Sequence, residues 1–167
     1  MIILMAGLPG CGKTTLAQAI AARIGGTLLN KDDIRAALFT PAQIEYSTEQ
    51  DDFCLQVMIQ VAEYLFRKDP STMVFIDGRP FSRQYQIEQV LQAADAWKQP
   101  WRILHCVCSE ATARNRLQQV GHIAGNRDFE LYQRVRETFE KIRQPHIVVD
   151  TDRPLEVCVN QILPALK

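Results

Sequence analysis

The 167-residue sequence has no CxxC pair, and no cysteine lies near a histidine at zinc-finger spacing, so a structural metal site is not expected. It has no excess of either charge. Nineteen basic residues balance nineteen acidic ones, and the pI is near 6.8. That balance excludes a broadly basic coat for gripping long duplex DNA, since such affinity comes from neutralising phosphates. It also has no long hydrophobic run. Nothing approaches the apolar length needed to span a bilayer. The apolar stretch Met1 to Ala6 is too short for a secretory signal and follows no basic segment. Repeats, low-complexity tracts and composition shifts are missing too, so residues 1–167 read as one domain.

Apolar residues make up 47% of the chain, and a domain of this length buries roughly 70% of its unfolded surface without staples. The five cysteines, Cys11, Cys54, Cys106, Cys108 and Cys158, lie in apolar surroundings, as reduced thiols of a cytoplasmic protein do. Cys106 and Cys108 fall on one side of a strand and read as core. Among the cations, 13 arginines outnumber 6 lysines, and arginine suits bidentate grips on phosphate.

Strand-like and helix-like patterns alternate. Ile2 to Met5, Thr27 to Leu29, Met73 to Ile76, Arg102 to Cys108 and Ile147 to Val149 read as five short buried strands. Helical stretches intervene at Lys13 to Ile24, Asn30 to Phe39, 48–67, around Ile87 to Ala94, and from Ser109 to Gln119. A further one starts at Asp128 with Tyr132, Val135, Phe139 and Ile142 on one side, and the last opens near Pro154. Residues 120–127 (VGHIAGNR) read as a loop, within a mobile lid at about 118–128. The pattern predicts an α/β fold, a five-stranded parallel sheet flanked by helices, with ligands at the carboxyl ends of the strands.

Gly7-Leu8-Pro9-Gly10-Cys11-Gly12-Lys13-Thr14 satisfies G-x-x-x-x-G-K-[ST], follows a strand and opens a helix. This predicts a P-loop that binds nucleotide phosphates. The glycines let backbone amides wrap a phosphate, and the helix start adds positive potential. Lys13 is placed to reach the β- and γ-phosphates. Thr14 offers its hydroxyl to Mg²⁺, and Thr15 continues the binding segment. Cys11 is either a redox-sensitive point of this loop or a small residue tolerated there. Asp77 ends a strand as an acid that holds Mg²⁺ through water does, or is a turn residue beside Gly78.

Asn30-Lys31-Asp32-Asp33-Ile34-Arg35 opens the second helix. Asn30 reads as its cap with Asp33, three residues on, as the capping partner. Asp32 and Arg35 share a face near the end of strand two, which the usual sheet order sets beside the P-loop strand. A carboxylate and a guanidinium there can take an acceptor hydroxyl's proton and hold its neighbouring group; the alternative is ordinary dipole compensation. Arg134 and Arg136 read as solvated helix charges, and Trp97 and Trp101 as packing residues.

The P-loop, the N-[KR]-D-D-x-R element at Asn30 to Arg35 and the apolar strand ending in Asp77 together resemble the kinase domain of polynucleotide 5′-hydroxyl kinases. The layout is similar to zeta-toxin-like and other small ATP-dependent kinases of the AAA type, which implies a single P-loop NTPase domain of the nucleoside-kinase type. The resemblance extends through Arg116-Leu117, the helix from Tyr132 to Phe139 and Pro145 to Thr151, nearly the whole chain. It implies ATP as the nucleotide, Asp32 as general base and Arg35 as an acceptor-phosphate ligand. It also implies Arg116 and Arg127 as lid residues that embrace ATP, with Arg127 stabilising the transferring phosphoryl group. The sequence departs from the family pattern at Gln118 and Gln119, where a further arginine often stands. It departs again after Asp77, where Arg79 is either an acceptor contact or a surface residue. The implied activity is transfer of the γ-phosphate of ATP to a hydroxyl, with a nucleic-acid 5′ end or a small molecule (nucleoside, sugar or antibiotic) as acceptor. The other class left open is an ATPase or nucleotide switch.

Overall fold

The computed structural model describes residues 1–119 and 128–166. Five parallel strands, β1 (Ile2–Ala6), β2 (Thr27–Asn30), β3 (Val74–Asp77), β4 (Trp101–Val107) and β5 (Ile147–Asp150), form one sheet in the order β2-β3-β1-β4-β5. Among the described residues, seven α-helices connect or follow them: α1 (Lys13–Ile24), α2 (Lys31–Leu38), α3 (Thr48–Lys68), α4 (Gln84–Ala96), α5 (Glu110–Gln118), α6 (Phe129–Glu137) and α7 (Leu155–Ile162). The expected α/β sheet is therefore present, and each expected strand is found within about two residues of its reading.

The strand periodicity divides the core. Along β1, Ile2, Leu4 and Ala6 face a layer built by Leu55, Met58 and Ala62 of α3 and Ile87, Val90 and Ala94 of α4. Ile3 and Met5 face the opposite layer, with Leu16, Ala17 and Ile20 of α1 and Val159 and Ile162 of α7. All five residues of β1 are buried, and each large apolar side chain so buried contributes ~1.5–3 kcal/mol. The central strand is thereby fixed on both faces, and the loop that follows it starts from a rigid base. Trp97 and Trp101 pack against the α3–α4 layer, as read, with Trp97 tilted against Phe66 at 5.9 Å between centroids.

Several details differ from the sequence reading. Strand β2 does not lie beside the P-loop strand; β3 intervenes, because β1 spends its two edges on β3 and β4. Asn30 caps α2 by accepting from the amide of Asp32 at 2.9 Å, and Asp33, exposed, is not its capping partner. Helix α6 ends at Glu137, so Phe139 and Ile142 pack into the α3–α4 layer from the segment beyond it. Cys106 is buried in β4, whereas Cys108 lies just past the strand end and is half-buried against the α1–α7 layer. Arg134 and Arg136 are exposed and pair with Glu130 and Glu110. The expected loop at 120–127, most of the expected lid and Arg127 lie outside the described residues.

Candidate functional site

The P-loop leaves β1 at Gly7 and enters α1 at Lys13. Gly7 has φ 136°, and a Cβ there would stand 2.2 Å from the backbone oxygen of Cys106, so only glycine fits. Gly12 caps α1 in the left-handed region at φ 76°, and no side chain caps the helix. The first amides of α1 are thus left to a ligand, and a helix start of this kind favours an anion. Lys13, 3% exposed, donates from Nζ to the backbone oxygens of Gly7 at 2.9 Å and Leu8 at 3.0 Å. Pro9, Gly10 and Cys11 are buried, and Thr15 points to solvent from the first turn of α1.

Two side chains brace the loop from the far side of the sheet. The buried Thr151 hydroxyl, just past β5, donates to the Cys11 backbone oxygen at 2.9 Å. Arg116 of α5 donates to the Thr151 backbone oxygen at 2.8 Å, to its hydroxyl at 3.1 Å and to the Gly10 oxygen at 3.4 Å. Arg116 therefore lies against the P-loop, where sequence reading set a nucleotide contact. Thr151 closes the segment that the family resemblance covers, but sequence reading gave it no role of its own.

The carboxyl ends of β2 and β3 bring a second group together. Asp77, fully buried, accepts from the Thr14 hydroxyl at 2.6 Å and from the Asn30 side-chain amide at 2.9 Å, both on Oδ2. Its other oxygen, Oδ1, is buried with no partner among the described residues. A buried carboxylate oxygen without a donor is costly, and the hard oxygens of Thr14 and Asp77 are the donor type Mg²⁺ selects. The residues present fit that ion.

Next to the P-loop, a cavity of about 540 Å³ has Lys13 and Pro9 at one wall and Asp32 and Arg35 at another. Arg35 is 2% exposed; it donates to Asp32 Oδ1 at 2.9 Å and also bonds Asp51, with its guanidinium 5.1 Å from the Tyr46 ring centroid. Its Nε is buried with no partner among the described residues. Lys31 reaches Asp51 at 2.7 Å and Asp32 at 3.6 Å. Arg79, also buried, pairs with Asp52 and lies 3.4 Å from the Tyr85 hydroxyl. Tyr46 has φ 52°, an uncommon backbone state for a tyrosine, and such states gather at sites that bind.

Asp51 and Asp52, consecutive in the first turns of α3, were missed by sequence reading, as were Lys31, Tyr46 and Tyr85. Acids near a helix start are explained by the dipole alone, and the partners Arg35 and Arg79 lie 16 and 27 residues away. The structure thus brings Lys13, Thr14, Asp77, Asp32, Arg35 and Arg79 to one end of the sheet. It sets Arg116 on the opposite flank of the P-loop.

Residues 2–146 match the model of a protein family described as an AAA domain. No curated protein matches the sequence. Solved structures match over nearly the full chain. A gluconokinase from Sinorhizobium meliloti 1021 is 21% identical, with 98% of this chain and 90% of that one covered and a TM-score of 0.70. The Mycobacterium tuberculosis APS kinase CysC, in complex with AMPPNP and APS, is 14% identical, with 99% and 96% covered and a TM-score of 0.73. Chaetomium thermophilum Kti12 in complex with ADP-AlF3 is 16% identical, with both chains covered completely and a TM-score of 0.72. At these identities the likeness shows the fold, that of P-loop kinases and their relatives. Among the described residues no helix is long and apolar enough to cross a membrane.

Proposed function

The chain belongs to the AAA domain family, and on that premise we propose that it is a P-loop kinase that transfers the γ-phosphoryl group of ATP to a hydroxyl of a small molecule. The observation that carries this reading is the shared cavity: Lys13 of the phosphate loop and the Asp32 carboxylate line the same space. A nucleotide switch needs the first of these and has no use for the second. The likeness to gluconokinase and APS kinase supports a small acceptor over the nucleic-acid 5′ end that the family resemblance first suggested.

Residues 7–15 wrap the phosphates of ATP in this reading, with Lys13 leaving its backbone partners for the β- and γ-phosphate oxygens. Arg116 steadies the loop and the nucleotide from the far flank. Thr14 and Asp77 would hold Mg²⁺, which when bound would neutralise charge on the phosphates. Asp32 takes the proton of the acceptor hydroxyl. The acceptor oxygen then bonds to the γ-phosphorus, the bond from that phosphorus to the β–γ bridging oxygen breaks, and ADP leaves. Positioning and charge neutralisation supply most of such a rate, and Arg35 positions Asp32 through its 2.9 Å bond. Arg127 is retained as the candidate cation for the transferring group.

A transfer screen with γ-labelled ATP over nucleosides, sugars and 5′-hydroxyl oligonucleotides tests the reading. With the best acceptor, Asp32→Asn should lower transfer by on the order of 10²–10⁴ while ATP affinity changes little. Unchanged transfer in that variant would overturn the role of Asp32 and return the switch reading.

A further inference from the structure

Among the described residues, the acceptor cavity pairs every cation of its walls other than Lys13 with an acid. Lys31 meets Asp51 and Asp32, Arg35 meets Asp51 and Asp32, Arg79 meets Asp52, and at the rim Arg83 meets Glu140 at 3.3 Å. Lys13 stands apart, committed to the P-loop. Among the described residues the four remaining cations of the wall are therefore each paired: Asp32, Asp51 and Glu140 line the cavity with them, and Asp52 pairs with Arg79 without lining it, so none of the four is left free for an anion.

The pairs are also oriented by burial. The side chain of Arg35 is 2% exposed and that of Arg79 is 3%, whereas Asp51 is 21% and Asp52 33% exposed. In the Arg35–Asp32 pair the acid is again the more exposed partner, at 11%. Each arginine has turned its fork onto α3, or onto Asp32 of its own helix, and the carboxylate is the partner that water reaches. Around them stand the hydroxyls of Thr48, Ser82 and Tyr85. Such a wall accepts hydrogen bonds more than it donates them. An anion entering here would have to break a buried pair to gain Arg35 or Arg79.

From this juxtaposition of retracted arginines and outward carboxylates we infer that the acceptor is a small polyhydroxylated compound with no anionic group. The inference rests on the kinase reading above and narrows it. Hydroxyl donors satisfy Asp51 and the Tyr85 oxygen, both of which line the cavity. Asp52 becomes a specificity-determining residue: by neutralising Arg79 it withholds the cation that an acidic acceptor would need.

The test measures ADP release from ATP and Mg²⁺ with matched acceptors: neutral polyols and aldoses, amino sugars, the corresponding sugar acids, nucleoside 5′-phosphates and 5′-hydroxyl oligonucleotides. A neutral or amino-bearing polyol should exceed its acid counterpart by at least about tenfold in kcat/KM. Asp52→Asn, by freeing Arg79, should narrow that gap by lowering KM for the acid, with KM for ATP unmoved. An acid, a phosphorylated compound or an oligonucleotide as the best acceptor of the unaltered chain overturns the inference and leaves the kinase reading standing. ATP binding with no response to any class of acceptor overturns the kinase reading itself, and the inference with it.

Discussion

Lys13 is the only cation between Gly7 and Thr15, and without nucleotide it satisfies two carbonyls of its own loop. That gives its removal two separable effects. Losing two hydrogen bonds, each with a net value of ~0.5–1.5 kcal/mol, should lower stability by about 1–3 kcal/mol in Lys13→Ala. Losing the charge-assisted contacts to phosphate, ~1.5–3 kcal/mol, should weaken Mg-ATP binding by roughly 10–100-fold. Calorimetric titration and denaturant unfolding on one variant separate the two. A variant that folds and binds Mg-ATP as tightly as its parent would refute the phosphate role. At this scale the sequence was easy to read where the chemistry is local. Gly7, Lys13 and Thr14 sit within one short stretch of chain, and their spacing is itself the signal. Asp77 was legible because a strand ending in an acid is a short pattern. Asp51 and Asp52 were not, because only folding brings them to Arg35 and Arg79.

Helix α3 has two occupations, and its sequence advertises one. Leu55, Met58, Ala62 and Phe66 form the stripe that fills the α3–α4 layer. The same helix start carries the acids that neutralise the acceptor wall. Asp51 is shared by Lys31 and Arg35, both from α2, so it ties two helices together at the cavity. Asp51→Ala would leave two buried cations with only Asp32 between them. A fully buried pair broken on one side costs ~3–5 kcal/mol, and the partial exposure of Asp51 keeps the loss below that range. Unfolding of this variant should therefore come at clearly lower denaturant. Asp51→Asn should recover part of the loss by keeping hydrogen bonds to both partners. Equal midpoints for parent and Asp51→Ala would show the pairs to be worth nothing. Element existence was legible from periodicity; the order of the elements in the sheet was not. The reading that set β2 beside β1 failed for that reason: strand composition carries no record of which neighbour a parallel strand selects.

At the scale of the whole molecule, the titration of buried groups sets the pH range of stability. Burial pushes the Cys106 thiol far above its ordinary 9.0, and burial raises Cys54 as well. In the unfolded chain these thiols ionise near pH 9.0, whereas the folded chain keeps their protons. Above that pH the native state binds more protons than the unfolded one, so stability falls as pH rises. His105 works at the other end. It is stacked on Phe139 and set beside His146, and burial, with smaller help from His146 and Lys13, lowers its pKa below 6.5. The unfolded chain binds that proton first. Stability is fully present above 6.5 and is lost as pH falls from there through the lower folded value. The melting temperature should therefore be highest between about 6.5 and 9, with a limb on each side. Cys106→Ala should flatten the alkaline limb, after allowance for its packing loss at neutral pH, and His105→Phe should flatten the acid limb between pH 6.5 and 5. A parent protein whose melting temperature is level from pH 5 to 7, or a His105→Phe variant with the acid limb intact, would assign that limb to other groups.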